Sequence, residues 1–581
     1  MDLSAILNDV QDDEGAPFKG EAEATRITET RHGPSRLLRL PAALHDPIIS
    51  HLTNRDIKSL RLTCTFFHDI ARLRLHRVFI SAHHRDVQVL RAIADSDAFR
   101  SGVTELIWDD ARLSNFPHLA QAHDENVKDN NSETHDNNDS EVPKWFVDAC
   151  NGNIDDLNSR KGLDADRPEH AAQAEQLNTR LPAAACWAHY RELLQQQDAV
   201  LSSGADEAAF RYALQQFPSL ERVTITPAAH GWLFSPLYET PTIRTLPNGF
   251  NYPIPRGWPT APDGCPPHSM RPWPGDGEGE AYKDQWRGVR LALRVLAEPQ
   301  TEHSVTEFVL DAHHLDTGLN CRIFEHPAAQ ASAEYTNLCA LLRRPGFARL
   351  GLALAVGGQE HLGWPALRGG HLRAALEGAP DLRHFSLRTN VVPDPDARAL
   401  VRGSGGNAEH HVPLGILWPV ESWTRLRHFG LSGFLVTQED VISLLRALPG
   451  SLRSVGLSFL HFVDNGGDWR GLLGEMRDTL DWREREAACR PDVVVGHALI
   501  VPRCGRAVWA DREAVGSFLY GDGPNPFGDE GEPAPNQIVM GNGAGVERDA
   551  LDPSHERPYV DNFELMRLGL VKKAPWLERD V

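Results

Sequence analysis

Cysteine is scarce in this chain and never occurs at metal-ligand spacing. Its eight cysteines, Cys64, Cys150, Cys186, Cys265, Cys321, Cys339, Cys489 and Cys504, are scattered over 581 residues with no C-x-x-C pair. That distribution argues against a zinc site and against a disulfide framework, and points to reduced, mostly buried thiols. Long apolar runs are missing too. The stretch Leu350 to Val356 is typical, far below the roughly 20 residues a membrane-spanning helix needs. Positive charge is in deficit: 59 Lys and Arg face 80 Asp and Glu, a net charge of −21. No general attraction to nucleic acid or an anionic membrane surface follows from such a balance. The N-terminus, MDLSAILNDVQDDEGAPF, lacks the basic start and long apolar stretch of a secretory signal, so an intracellular protein, cytoplasmic or nuclear, is expected. Recognisable catalytic signatures are also absent: there is no G-x-S-x-G, H-E-x-x-H, Walker motif or spaced Cys/His cluster. No catalytic residue, metal or cofactor is therefore assigned, although the 27 histidines leave distant pairings open.

What the chain does have is a concentration of apolar side chains in Arg36 to Phe79, RLLRLPAALHDPIISHLTNRDIKSLRLTCTFFHDIARLRLHRVF. So short a segment buries too little surface to fold securely alone, and each Leu, Ile or Phe that is covered contributes ~1.5–3 kcal/mol. A partner is implied. The pattern predicts three helices. Asp46 caps the first, with Pro47 at its first position and Leu44, Ile48, Ile49 and Leu52 close to one face, Ile57, Leu60 and Cys64 line the second, and Phe67, Ile70, Ala71 and Leu75 line the third.

The spacing L-P-x-x-L-x-x-x-I-[IL]-x-x-L-x-x-x-D-[IL]-x-x-L-R-x-x-C-x-x-F is filled by Leu40, Pro41, Leu44, Ile48, Ile49, Leu52, Asp56, Ile57, Leu60, Arg61, Cys64 and Phe67. In these twelve offsets the segment resembles the F-box proteins. It departs from many members at Ala43, where a Glu is common. The resemblance covers about 45 of the 581 residues. It implies docking onto a Skp-type adaptor, and through it onto a cullin, with the contact carried by Leu40, Pro41, Leu44, Ile48, Ile49, Leu52, Ile57, Leu60, Cys64 and Phe67. Lysine bears on that implication: only eight of the basic residues are Lys, and none falls between 284 and 571. A ligase subunit poor in lysine presents few sites for its own modification; a codon bias toward Arg accounts for the same count.

Beyond this segment one pattern, apolar-x-x-apolar-x-apolar, returns seven times. The copies are Val103/Leu106/Trp108, Leu220/Val223/Ile225, Val305/Phe308/Leu310, Phe347/Leu350/Leu352, Leu382/Phe385/Leu387, Leu426/Phe429/Leu431 and Leu452/Val455/Leu457. The last two members of each alternate as a half-buried strand requires. Helical stretches lead into most of them: Asp86 to Phe99, Asp206 to Phe217, Trp286 to Leu296, Ala333 to Leu342, Leu372 to Glu377 and Glu439 to Leu448. Leu382 to Val392, LRHFSLRTNVV, resembles the full leucine-rich-repeat signature with Asn390 at its polar position. Copies are spaced by 117, 85, 42, 35, 44 and 26 residues, so only the last fits a period of roughly 20 to 29. The alternative is a non-repetitive α/β domain. The expected fold is α+β overall, an F-box module followed by an irregular leucine-rich-repeat-like α/β domain.

The expected division is a disordered tail at 1–34, the F-box at 35–82, the repeat-like domain at 83–500 with inserts at 116–142 and 227–284, and a C-terminal region at 501–581 with a loop at 521–557. The 227–284 insert holds 12 of the 40 prolines, seven glycines and eight aromatics. Pro and Gly disfavour regular structure, whereas aromatics favour packing. Trp232, Phe234, Tyr238, Phe250, Tyr252 and Trp258 are therefore expected either to border a substrate-binding face or to cover a sheet edge. The reading is a substrate receptor of an SCF-type ubiquitin ligase taking an unidentified protein, with no nucleic acid or membrane partner. Its alternatives are an interaction scaffold outside any cullin complex and an enzyme whose site lies after residue 140.

Overall fold

The computed structural model describes residues 37–52, 54–115, 142–160, 176–260, 269–273, 279–313, 315–327, 330–359, 362–391, 411–463, 465–498, 506–510, 512–528 and 538–542. The 1–34 tail and the 116–142 insert, save Val142, lie outside them. Three short helices open the chain: α1 (Ala42–Ser50), α2 (Asn54–Arg61) and α3 (Thr65–Ile70). Then β1 (Arg77–Ile80), α4 (His84–Ala94) and β2 (Glu105–Asp109) follow. Next come α5 (Lys144–Arg160), α6 (Ala183–Ser203), α7 (Ala205–Gln216) and β3 (Arg222–Thr226). The middle of the chain holds α8 (Arg287–Ala297), β4 (Glu307–Leu310), α9 (Ala333–Leu342), β5 (Arg349–Ala355), α10 (His371–Glu377) and β6 (His384–Thr389). It ends with β7 (His428–Ser432), α11 (Gln438–Ala447), β8 (Ser454–Ser458), α12 (Trp469–Thr479), β9 (Asp492–Ala498), β10 (Arg506–Ala510), α13 (Arg512–Tyr520) and β11 (Ile538–Asn542). No helix among the described residues is long and apolar enough to cross a membrane.

The strands form one sheet in sequence order, β1 through β11. Neighbours are parallel from β1 to β9, and β10 and β11 join antiparallel. The architecture is α/β with a mostly parallel sheet. Its register aligns the repeated pattern across strands: Val78, Leu106, Val223, Phe308, Leu350, Phe385, Phe429, Val455 and Val493 are successive partners. All are buried. Two residues on, Leu352, Leu387, Leu431, Leu457 and Val495 make a second buried row. The same bend introduces each strand, because one carbonyl accepts two successive N–H groups from the next. Thr104 and Glu105 donate to His76, Arg383 and His384 to Ala348, Arg427 and His428 to Arg383, and Arg453 and Ser454 to Arg427.

Helices α4 and α7–α13 pack their apolar sides on these rows in one continuous cluster. The predicted helices stand close to their expected bounds, and α9 matches them. An eighth copy, Leu75/Val78/Ile80, was absorbed into the predicted F-box. Because β1 pairs with β2, the sheet begins by Arg77, and the expected boundary at residue 83 is corrected accordingly. The boundary at 500 also fails, since β10 and β11 extend the same sheet.

On the face away from the helices, the middle row of β5–β8 is Gly351, Ser386, Gly430 and Gly456. A Cβ on Gly430 would lie 2.9 Å from the Cβ of Ser386, closer than two such atoms approach. Small residues here follow from the crowding of neighbouring strands. Gly430→Val should therefore destabilise by about 1–3 kcal/mol through overpacking, and Phe429→Ala on the opposite side by about 3–5 kcal/mol through a cavity beside Trp418 and Phe385. Gly474→Ala, on α12 with nothing within 4 Å of the added methyl, should be neutral or stabilise by about 0.5–1 kcal/mol. Urea midpoints rank the three; equal shifts in all would refute the assigned packing.

Candidate functional site

The N-terminal helices enclose a core of their own, and it is small. Ile49, Ile57 and Ala71 are buried, with Leu52, Leu60, Ile70 and Leu73 packed around them. Phe67 is buried beside His45 and Phe66, with ring centroids 6.0 and 5.3 Å away. Polar ties hold the segment closed: Asn54 donates to the Arg74 carbonyl at 2.7 Å and accepts from its N–H at 2.9 Å, while Arg74 reaches the Ser50 carbonyl at 2.6 Å and Arg61 the Ala71 carbonyl at 2.9 Å. These bonds draw residues 71–76 out of helix. The predicted third helix accordingly stops at Ile70, and Leu75 joins the sheet's cluster instead. The first helix also differs from expectation. It starts at Ala42 with Pro41 before it, so Asp46 is not its cap and Pro47 lies inside it, where the ring removes one helical N–H.

Outside that core the segment is unusually apolar. Six large hydrophobic residues among those described are prominently exposed, and four sit here: Leu44 (48%), Ile48 (39%), Leu62 (89%) and Phe66 (41%). Leu44 and Ile48 are one turn apart on α1 and share a stripe; Pro41 at its start is exposed too. The structure thus divides the ten expected contact residues. Pro41, Leu44 and Ile48 are open, Leu40, Leu52, Leu60 and Cys64 are half-buried, and Ile49, Ile57 and Phe67 serve the module's own core. Assigning those last three to a contact is corrected for that reason: three short helices cannot spare them. Leu62 and Phe66 were missed, because neither falls on the motif's fixed offsets.

The aromatic insert packs most of its six expected residues into the fold. Tyr238, Phe250, Tyr252 and Trp258 are buried, so they do not line an open face as they stand. Leu237 and Tyr238 cluster with Phe79 of β1 and Ile107 of β2, covering the sheet on the side away from the helices. Phe250 stacks on Tyr252 at 4.7 Å and joins α5 and α6 in a second core. Trp258 donates its indole N–H to Asp110 at 2.8 Å. Only Trp232 and Phe234 remain half-exposed, on a tight turn in which Trp232 and Ser235 exchange backbone bonds and Phe234 adopts φ +59°.

Under the insert lies a buried polar cluster that sequence reasoning did not find. His230 hydrogen-bonds the Tyr252 hydroxyl through Nδ1 at 2.7 Å and sets Nε2 3.5 Å from Asp109. Asp86 accepts from Ser81 at 2.5 Å and from the Thr242 N–H at 2.7 Å. Asp110 also accepts from the Gly288 N–H at 2.8 Å. Burial pushes the carboxyls of Asp86 and Asp110 up to about 6, against these bonds. Burial, with His230 adjacent, pushes His83 down to about 4. The cluster fastens the insert to the strand ends across large sequence separations. A small cavity opens beside it, lined by Asn153, Asp156, Trp232 and Arg256 among others, with room for about 20 Å³. Among the described residues no three His, Cys, Asp or Glu side chains converge as metal ligands. The chain matches no protein-family model and no curated protein.

The shifts have opposite signs for stability. Asp110 takes its proton near pH 6 when folded but only near its ordinary 3.8 when unfolded, so acidification through that window stabilises through Asp110. His83 is protonated near 6.5 when unfolded but only near 4 when folded, so the same acidification destabilises through His83. Between pH 7 and pH 5, Asp110→Asn should lose more of its urea midpoint than the parent and His83→Gln less. Identical pH slopes in all three proteins would show that neither group carries the shift.

Proposed function

We propose that this chain is the substrate-receiving subunit of an SCF-type ubiquitin ligase, docking through its N-terminal helices onto a Skp-type adaptor and through that onto a cullin. The observation that carries the reading is the exposure of Leu44, Ile48, Leu62 and Phe66 on the segment whose twelve offsets resemble an F-box. Exposed apolar surface gathered on one small module is what a docking partner removes from water. The sheet domain is read as an irregular leucine-rich-repeat array for capturing protein. Support comes from eight aligned copies, the recurring bend at each strand entrance, and Asn390. That side chain accepts from the N–H of Val356, the residue just after the preceding strand, at 2.8 Å. Neighbouring units bury each other's apolar sides in such arrays and offer an extended surface. The subunit's contribution is positioning, raising the local concentration of a bound protein near a transferring enzyme.

Leu44→Asp with Ile48→Asp places two charges in the proposed contact and leaves the residues of the module's buried cluster unchanged. Recovery of a co-expressed Skp-type adaptor with the intact chain should fall by more than about a hundredfold, while thermal unfolding of the sheet domain stays unchanged. Undiminished recovery sinks the proposed interface. Adaptor recovered from the parent without cullin rejects the ligase in favour of a scaffold. Charges at Leu52 and Leu60 are a poorer test, since both pack on Ile49 and Ile57 and their loss unfolds the module itself.

A further inference from the structure

Among the described residues, the buried side-chain nitrogens and oxygens that lack a hydrogen-bond partner belong to the sheet domain, from His83 to Arg485, with one exception. The exception is His45, on α1 of the N-terminal helices, which is only 3% exposed. Its Nε2 stands 2.9 Å from the Leu37 carbonyl oxygen. Because a carbonyl only accepts, Nε2 carries the ring proton, and Nδ1 is left with a bare lone pair. That atom is buried and has no hydrogen-bond partner. An acceptor buried and unsatisfied costs stability, and these helices have little core to offset it.

His45 sits at the border between the exposed stripe of α1 and the module's interior. It follows Pro41 by four residues and precedes Ile48 by three, spacings that make side chains neighbours on a helix surface, and both of those residues are exposed. Ile49, four residues on, is buried. Two phenylalanine rings stand edge-on to the imidazole, Phe66 at a centroid distance of 5.2 Å and Phe67 at 6.0 Å. Phe67 is buried, whereas Phe66, in the first turn of α3, is 41% exposed. The unsatisfied acceptor thus lies next to three of the exposed apolar residues, Leu44 beside it in sequence, Ile48 one turn on and Phe66 across the helix pair.

We propose that the adaptor-docking surface contains a polar anchor: a hydrogen-bond donor of the adaptor, a backbone N–H or a hydroxyl, reaches His45 Nδ1 past the edge of the Phe66 ring, amid the apolar contact made by Leu44, Ile48 and Phe66. The proposal rests on the reading of these helices as an adaptor-docking module, and it names what the partner's surface must carry. An apolar patch alone attracts any apolar surface. A buried acceptor discriminates against every surface that leaves it unpaired, so His45 gives the contact its selectivity. Neither His45 nor Phe66 falls on the fixed offsets of the N-terminal motif, so the resemblance by itself assigns no role to them.

The test uses the full chain and a purified Skp-type adaptor, with affinity measured by titration. Two substitutions divide the imidazole between them. His45→Gln sets an amide nitrogen near the place of Nε2, keeping the bond to Leu37 and removing the Nδ1 lone pair, while His45→Asn sets an amide oxygen near the place of Nδ1, keeping the acceptor and removing the bond to Leu37. Affinity should fall about ten- to a hundredfold in His45→Gln and stay within about threefold of the parent in His45→Asn. A ring that merely braces the module predicts the reverse order, because the Leu37 bond is then what counts. The reverse order, equal losses in both variants, or parent-like affinity in both would each overturn the proposal. Leu44→Asp/Ile48→Asp, titrated alongside, separates the two failures: undiminished affinity there sinks the docking reading itself, whereas a loss there together with any of those three outcomes sinks the anchor alone.

Discussion

The structure depends on register. One apolar residue of every strand, from Val78 through Leu106, Val223, Phe308, Leu350, Phe385, Phe429 and Val455 to Val493, sits opposite its neighbour's counterpart. No single unit buries this residue by itself, because each strand is short and the apolar cluster behind the sheet is shared by residues of all the units. A one-residue slip anywhere would turn the row toward water and the charged row toward the helices. The doubled acceptor at each strand entrance opposes such a slip, since it fixes where pairing begins.

Because the helices and the buried rows claim one face of the sheet, the other face is left to be treated in two ways. Over β1 to β3 it is closed by the insert, with Leu237 and Tyr238 against Phe79 and Ile107 and the His230, Asp109 and Asp86 contacts securing the edge. Its charges there cancel in a ladder, where Glu105, though burial opposes ionisation, is held below the ordinary carboxylate range by Arg77 and Arg222. Over β5 to β8 neither device continues. No insert residue clusters there among the described residues, and the ladder passes from Arg349 to His384 and His428. Burial chiefly, with Arg349 adding to it, keeps these two imidazoles neutral near pH 7 by lowering them to about 4.

Sequence reasoning found what short-range periodicity encodes. Strand positions such as Phe385/Leu387 and helices such as Ala333–Leu342 were legible because burial on one face repeats every second or every third and fourth residue. The first copy, Leu75/Val78/Ile80, was overlooked because the same residues also extend the N-terminal motif. The fate of the insert was illegible for another reason. Whether Tyr252 lines a cleft or is buried beneath a loop is decided by His230, Asp109 and α6, and no local pattern carries that information.

The N-terminal helices show the same logic at smaller scale. Four buried residues, Ile49, Ile57, Phe67 and Ala71, and four partly buried ones make their core, and at ~1.5–3 kcal/mol for each fully buried side chain that is little against the entropy of ordering some 35 residues. The module therefore leans on backbone ties from Arg61, Arg74 and Asn54 and on Leu75, which anchors its exit in the sheet's cluster. Leu44, Ile48, Leu62 and Phe66 are left largely or half outside by a fold so short of core, and that exposed area contributes nothing to it. Their burial becomes favourable only against a second surface, so docking and the stability of these helices are coupled, and a partner there adds the apolar contact that the segment lacks on its own.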